Sequence, residues 1–279
     1  MSSGGERFAP VPPIINRRGT LYSDRMRQEE RLGLILDRLA RDGSVSVTEL
    51  TTELKASPAS IRRDLHVLEE QQLLKRTHGG AVSAEVMYEL PMRYRTGRHH
   101  QEKLRIAQAA AELVTDSVHS VGLGGGTTTT ELARLLGAAA RPLKVITNAL
   151  NIAGELSVRP SIDLVVTGGS VRSASYELVG PIADQALADI NLDLVFIGVD
   201  GIEAGRGIST HDDVEAQTDR CLLRTADRVI VLTDGSKVGK RAFSRITGIE
   251  EISGLITDVG ADAAELDRLR AAGVDVTTV

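Results

Sequence analysis

A chain of 279 residues, 42% hydrophobic and 25% charged, has the make-up of a soluble globular protein and length enough for two domains. Aromatic residues are sparse, with no Trp, four Tyr and three Phe, so the core must be built from Ala, Val, Leu and Ile, which suits a parallel α/β sheet better than a β-sandwich. No apolar run reaches the 18 residues of a membrane span, the single Cys221 excludes an intramolecular disulfide and any multi-cysteine metal site, and a net charge of −5 offers no bulk attraction for nucleic acid.

The charge is mildly segregated: residues 1–24 and 25–80 each carry +1, and residues 81–279 carry −7. A nucleic-acid surface must therefore come from the placement of individual arginines. Residues 1–24 contain Pro10, Pro12 and Pro13 but no long apolar stretch or small-residue cleavage pattern, so they read as a disordered extension rather than a signal peptide. Cytoplasm is the expected compartment.

From Arg27 to Arg41, Leu32, Ile35, Leu36 and Leu39 recur at helical spacing, and Asp42-Gly43 stops the pattern. Ser46-Val47-Thr48-Glu49 is a capping box that opens a short second helix ending near Lys55. Ser57-Pro58 opens a third, with Ser57 as N-cap, Pro58 at the first helical position, and Ile61, Leu65 and Leu68 as its buried stripe. Leu73 to Val82 predicts a small hairpin turning on Gly79-Gly80. Three helices and a basic hairpin over residues 25–82 follow the plan of a winged helix-turn-helix.

Arg62 and Arg63 fall off the apolar stripe near the N-terminal end of the third helix, where base edges are met. The planar fork of arginine can grip a guanine or a phosphate with two hydrogen bonds. Ser57, Ala59 and Ser60 join them as DNA-contact candidates, and Lys75, Arg76 and His78 on the wing are placed for phosphates. The plainer alternative pairs Arg62 and Arg63 with Asp64 or Glu69 on a solvated face.

Residues 83–101, with Pro91, Gly97 and the polar run Arg95 to Gln101, read as a linker. Over residues 102–279 the pattern predicts strands at 118–123, 143–147, 162–167, 193–199, 228–233, 254–257 and 274–278. Helices are predicted at 102–115, 127–138, 149–157, 181–189, 212–226 and 262–272. Such alternation implies right-handed crossovers and an open, mainly parallel sheet covered on both faces. Cys221 falls in an amphipathic helix, as a packed and unreactive thiol.

The run Gly122 to Thr130 joins a predicted strand to a helix. Its glycines, Gly124 and Gly126 among them, let several N–H groups converge, and Thr127 and Thr128 add donors at the helix N-terminus, a cradle for an anion such as phosphate. It is not a nucleotide P-loop, because no Gly-Lys-Ser/Thr follows. Gly168-Gly169-Ser170 with Arg172, Asp200-Gly201 and Asp234-Gly235-Ser236-Lys237 end three further strands, where ligands of open α/β sheets sit. The mixture suits a small polyol phosphate, with Lys237 for the anion and Asp200 and Asp234 for hydroxyls. Tight packing and ordinary Asp-Gly turns are the plain alternative.

Taken together, these motifs resemble the DeoR family over residues 27–279. The resemblance rests on Arg31, Ile35 and Leu39, on Ser57 and Ser60-Ile61-Arg62-Arg63-Asp64-Leu65, and on the wing Arg76-Thr77-His78-Gly79-Gly80-Ala81. In the second domain it rests on Gly126-Thr127-Thr128, Thr147-Asn148, Gly168-Gly169, Gly198 to Ile202 and Asp234 to Gly239. Ser60 stands where the family usually has threonine, and Asp219, beside Arg220, where relatives usually carry lysine. The resemblance implies a second domain of the ribose-phosphate isomerase and glucosamine-phosphate deaminase type. It also implies a repressor of sugar-catabolic genes that binds a double-stranded DNA operator, is released by a phosphorylated sugar, and works as a homo-oligomer, dimer or tetramer.

The rival reading is a sugar-phosphate isomerase or deaminase with an appended DNA-binding domain. Asp200, Glu203, His211, Asp212 and Glu215 could supply acid/base groups, but only if geometry puts one within about 3 Å of the proton it moves. A third reading uses the winged helix for protein contacts. No catalytic residue, metal or cofactor is expected, and no membrane association.

Overall fold

The structure, a computed structural model, describes residues 28–71, 73–83, 91–95 and 99–279. The expected extension over residues 1–24 lies outside them. The N-terminal unit comprises α1 (Gln28–Asp42), β1 (Ser44–Ser46), α2 (Val47–Glu53), α3 (Pro58–Glu70), β2 (Leu74–Thr77) and β3 (Gly80–Ser83). Both predicted caps form. Ser46 Oγ accepts from Glu49 N at 3.2 Å while Glu49 Oε2 accepts from Ser46 N, and Ser57 Oγ accepts from Ser60 N at 3.1 Å. Leu32, Ile35, Leu36 and Leu39 of α1 bury against Ile61, Leu65 and Leu68 of α3, with Leu50, Leu74 and Ala81 closing the core.

The wing has three strands, in the antiparallel order β1-β3-β2. Gly80 makes the third one possible: a Cβ there would sit 1.9 Å from Val45 O, so only glycine lets β3 lie against β1.

Within the stretch read as linker, α4 (Met92–Arg95) is a single helical turn. Tyr94 is buried in the N-terminal core and its hydroxyl donates to Gln71 Oε1. Met92 N donates to Ala174 O at 2.7 Å, in the second unit.

That unit runs α5 (His100–Glu112), β4 (Ser120–Leu123), α6 (Thr127–Ala138), β5 (Leu143–Thr147), α7 (Leu150–Leu156), β6 (Ile162–Val166), β7 (Ser170–Arg172), β8 (Glu177–Val179) and α8 (Pro181–Leu187). It continues through β9 (Leu192–Gly198), β10 (Gly201–Glu203), β11 (Gly207–Thr210), α9 (Asp213–Leu223), β12 (Ala226–Leu232), β13 (Ser244–Thr247), β14 (Gly254–Thr257), α10 (Ala263–Ala271) and β15 (Asp275–Thr278). Seven strands form one parallel sheet in the order β15-β14-β12-β9-β4-β5-β6. Successive residues of β9 serve two cores: Leu194 and Phe196 join α5, α6 and α7 on one face, Val195 and Ile197 join α9 and α10 on the other. Burial on both faces is why these strands are continuous apolar runs.

Winding proceeds outward from β4 through β5 to β6, then resumes at β9 on the other side of β4. The strand order therefore reverses between β4 and β9, and a crevice opens at their carboxyl ends, the usual place for a ligand in such sheets. Two small antiparallel sheets, β7-β8 and β10-β11-β13, supplement the main one. Among the described residues no helix is long and apolar enough to cross a membrane.

Candidate functional site

A pocket occupies this switch point. Its floor is Gly125 to Thr128, between β4 and the first turn of α6. Gly126 precedes the helix with φ +131°, a conformation open to glycine, and its carbonyl accepts from Thr129 Oγ1 at 2.9 Å and Thr130 Oγ1 at 2.6 Å. Those two hydroxyls serve the turn. The first N–H groups of α6 have no intrahelical carbonyl to bond, and the helix dipole adds partial positive charge there.

Cationic and acidic side chains meet above this floor. Asp200, just past β9, has Lys237 Nζ and Arg95 Nη1 both at 3.2 Å from Oδ1, with His211 Nε2 at 3.8 Å from Oδ2. Burial alone would raise its pKa, but the charges of Lys237, Arg95 and His211 overcome it and hold the carboxyl well below its ordinary value. Lys237 Nζ also donates to Val199 O at 2.6 Å. Asp234 accepts from Ser236 N at 3.2 Å, and its pKa is lowered: burial opposes the shift, Lys237 and Ser236 drive it. Lys103, buried, donates to Arg95 O at 2.7 Å.

Three buried carboxyls, Glu177, Glu215 and Asp219, line the same crevice, and Thr210 Oγ1 links Asp200 Oδ2, at 3.3 Å, to Glu215. Glu177 Oε1 accepts from Gly125 N at 2.9 Å. Glu215 takes Thr210 Oγ1 and an ion pair from Arg172 Nη1 at 3.0 Å, while Arg172 Nε reaches Asp212 at 3.3 Å. Burial raises the Glu177 and Asp219 pKa values well above the ordinary carboxylate range, and the neighbouring carboxylates add to the shift.

Of the residues read as effector-binding, Gly126, Thr127, Thr128, Asp200, Asp234 and Lys237 line this one pocket. Gly124, Gly169 and Arg172 lie outside its lining. Gly124 packs beneath it, donating to Phe196 O at 3.0 Å, with room for a Cβ only 3.2 Å from Ile197. Gly169, at φ +124°, lets β7 approach β8, where a Cβ would meet Val179 O at 2.9 Å. Arg172 is engaged with Asp212 and Glu215. Sequence reading missed Arg95, Lys103, Gly125, Glu177 and Thr210 as lining residues. Glu215 and Asp219, one helical turn apart on the buried side of α9, carried the one usable signal.

On the N-terminal unit, Arg62 and Arg63 are exposed on α3 and make no ion pair among the described residues. Ala59 is exposed one turn earlier, and Ser57 and Ser60 Oγ atoms are 2.9 Å apart. Arg62 borders a shallow cleft with Thr48, Thr51 and Thr52 of α2 and Gly79 of the wing turn, while Lys75, Arg76 and His78 are exposed on the wing. The alternative pairing with Asp64 fails. Asp64 is fully buried and bonded to Arg31 Nη2 at 3.1 Å and Gln28 Nε2 at 3.0 Å. Glu69 instead accepts from Arg76 N at 3.1 Å. Cys221 is half-buried, and burial raises its thiol pKa.

Residues 31–86 match the DeoR-like helix-turn-helix domain, and residues 98–259 match the DeoR C terminal sensor domain. The chain belongs to the DeoR family. A DeoR-type relative from Escherichia coli O157:H7, described as a candidate aga operon transcriptional repressor, is 36% identical over 90% of this chain and 93% of its own. The lactose phosphotransferase system repressor of Streptococcus mutans is 35% identical over 85% of this chain and 94% of its own. A ribose 5-phosphate isomerase A from Methanocaldococcus jannaschii overlaps 50% of this chain and 55% of its own at 22% identity, with a TM-score of 0.35. This DeoR-family chain is a DNA-binding transcriptional regulator and not an enzyme.

Proposed function

We propose that the regulator is a repressor of sugar-catabolic genes, and that a phosphorylated sugar in the switch-point pocket controls its hold on a double-stranded operator. The observation that carries this reading is the convergence, in one crevice, of the α6 N-terminus and Lys237 with the hydrogen-bonding carboxylates Asp200 and Asp234. Helix N-termini and lysines favour phosphate, and carboxylates accept from sugar hydroxyls. The relative named for the lactose phosphotransferase system supports the sugar class.

The route to DNA runs through α4. Arg95 pairs with Asp200 in the pocket while Tyr94 is packed in the helix-turn-helix core. A phosphate competing for Arg95 or Lys237 would prefer one placement of α4 over another, which is what coupling between two sites requires. Arg62 and Arg63 would read bases, and Lys75, Arg76 and His78 would hold phosphates.

The protein would act in the cytoplasm as a homo-oligomer, dimer or tetramer, so that paired half-sites add affinity. Exposed Val165, Val166, Val171 and Ile182, around the edge strand β6 and the β7–α8 segment, support a second copy covering that edge.

Thermal-shift screening of the full chain against sugar phosphates tests the ligand, since a ligand that binds only the folded state stabilises it increasingly as its concentration exceeds Kd. Retention of the promoter fragment upstream of its own gene, with and without the stabilising compound, tests the switch. Indifference to every phosphorylated sugar, together with no retention of DNA, sinks the reading.

A further inference from the structure

The pocket also holds an acidic cluster that a simple sugar phosphate leaves unused. Glu177, Glu215 and Asp219 are 4%, 6% and 3% exposed, and all three line the same crevice as Lys237 and the α6 N-terminus. The nearby guanidinium, Arg172, is spent on Glu215 and Asp212. Asp219 Oδ1 is buried without a hydrogen-bond partner among the described residues, and so is Glu215 Oε2, although the latter has its ion pair. An orphaned buried carboxyl oxygen is costly, and a cation with hydrogen-bond donors relieves it while favouring the ionised form.

We infer that the effector is an amino-sugar phosphate, its phosphate at the α6 N-terminus and Lys237 and its protonated amine against Asp219 and Glu215. This rests on the sugar-phosphate reading above and adds the cationic group. An ammonium offers three donors and one positive charge, enough for Asp219 Oδ1 and Glu215 Oε2 with one donor to spare. A neutral hydroxyl offers a single donor and no charge, so it can satisfy only one of these oxygens and cannot favour ionisation of Asp219. The raised pKa values of Glu177 and Asp219 agree: a bound cation would let at least one of these carboxyls ionise, releasing a proton.

The test is calorimetric titration of the full chain with matched pairs: glucosamine 6-phosphate against glucose 6-phosphate, and galactosamine 6-phosphate against galactose 6-phosphate. In at least one pair the amine should bind about tenfold tighter or more. Its binding heat should depend on the buffer's ionisation enthalpy in the sense of net proton release. Asp219→Asn should shrink that preference to within about twofold; because this variant could misfold, the buffer dependence of the unmodified protein stands as an independent measure. Equal binding within both pairs, or tighter binding of the hydroxyl sugars, overturns the amine while leaving the sugar-phosphate reading in place. Amine preference that survives Asp219→Asn in a folded variant also overturns it. Failure of all four phosphates to bind overturns both.

Discussion

Replacing Arg31 with Met should loosen the recognition helix without touching any DNA-facing side chain. Asp64, on the inner side of α3, is fully buried and takes charge-assisted hydrogen bonds from Arg31 Nε and Nη2, with Gln28 as a neutral third donor. Breaking one side of a buried ion pair costs about 3–5 kcal/mol, because the remaining charge is left uncompensated. Arg31 keeps 15% of its side chain exposed and Gln28 remains, so the lower end, about 3 kcal/mol, applies. At about 1.4 kcal/mol per factor of ten, this is about a hundredfold. Hydrogen exchange of the full chain should therefore speed up about a hundredfold in peptides from α1 and α3, and remain unchanged in β9 and β12. The double variant Arg31→Met with Asp64→Leu should recover most of the protection, since an apolar replacement of similar volume removes the orphaned charge. Exchange accelerated less than about fivefold, or a double variant worse than the single, refutes the assignment of Asp64 as a charge held in place by Arg31.

Arg62→Ala should cost about 1–3 kcal/mol of operator affinity and relax preference at one base pair, measured by titration against base-substituted duplexes; a loss uniform over all sequences assigns it to phosphate. Lys237→Ala should leave operator binding intact and abolish release by the sugar phosphate in a gel-shift assay, and undiminished release removes Lys237 from the site. Asp200 has a folded-state pKa held below its ordinary value of 3.8, so its stabilising contribution is complete above that value and is lost as pH falls toward the folded pKa. Urea titrations of Asp200→Asn against the parent should show a deficit that is constant from pH 7 to about 5 and shrinks below about 4; a deficit that grows in acid contradicts the Lys237 and Arg95 pairings.

Each predicted strand of the second unit has a counterpart in the main sheet. Runs such as Leu-Asp-Leu-Val-Phe-Ile-Gly in β9 are apolar because both faces are covered, and that signal survives in linear sequence. Strands β1, β7, β8, β10, β11 and β13 were not legible. Each has three or four residues, too few for alternation to show, and their pairing depends on partners elsewhere in the chain. The same limit shaped the reading of the site. Strand-end glycines, threonines and Asp-Gly pairs announce themselves by type, and five of those residues share the pocket with Lys237. Glu177 comes from a three-residue strand and Arg95 from a single helical turn, so their roles follow from tertiary placement alone. Asp219 was visible as an unusual charge, but its burial was not.

The turn at α4 also bears on how such regulators can be rebuilt. Tyr94 and Arg95 are adjacent in sequence, yet one is seated in the DNA-reading half and the other in the sensing half. A chimera spliced near residue 83 imports the whole coupling element with its sensor, and must find a cavity for a foreign tyrosine. One spliced after Arg95 keeps the tyrosine at home but asks the new sensor to offer an acid where Asp200 stands. The seam chosen thus decides which half has to adapt.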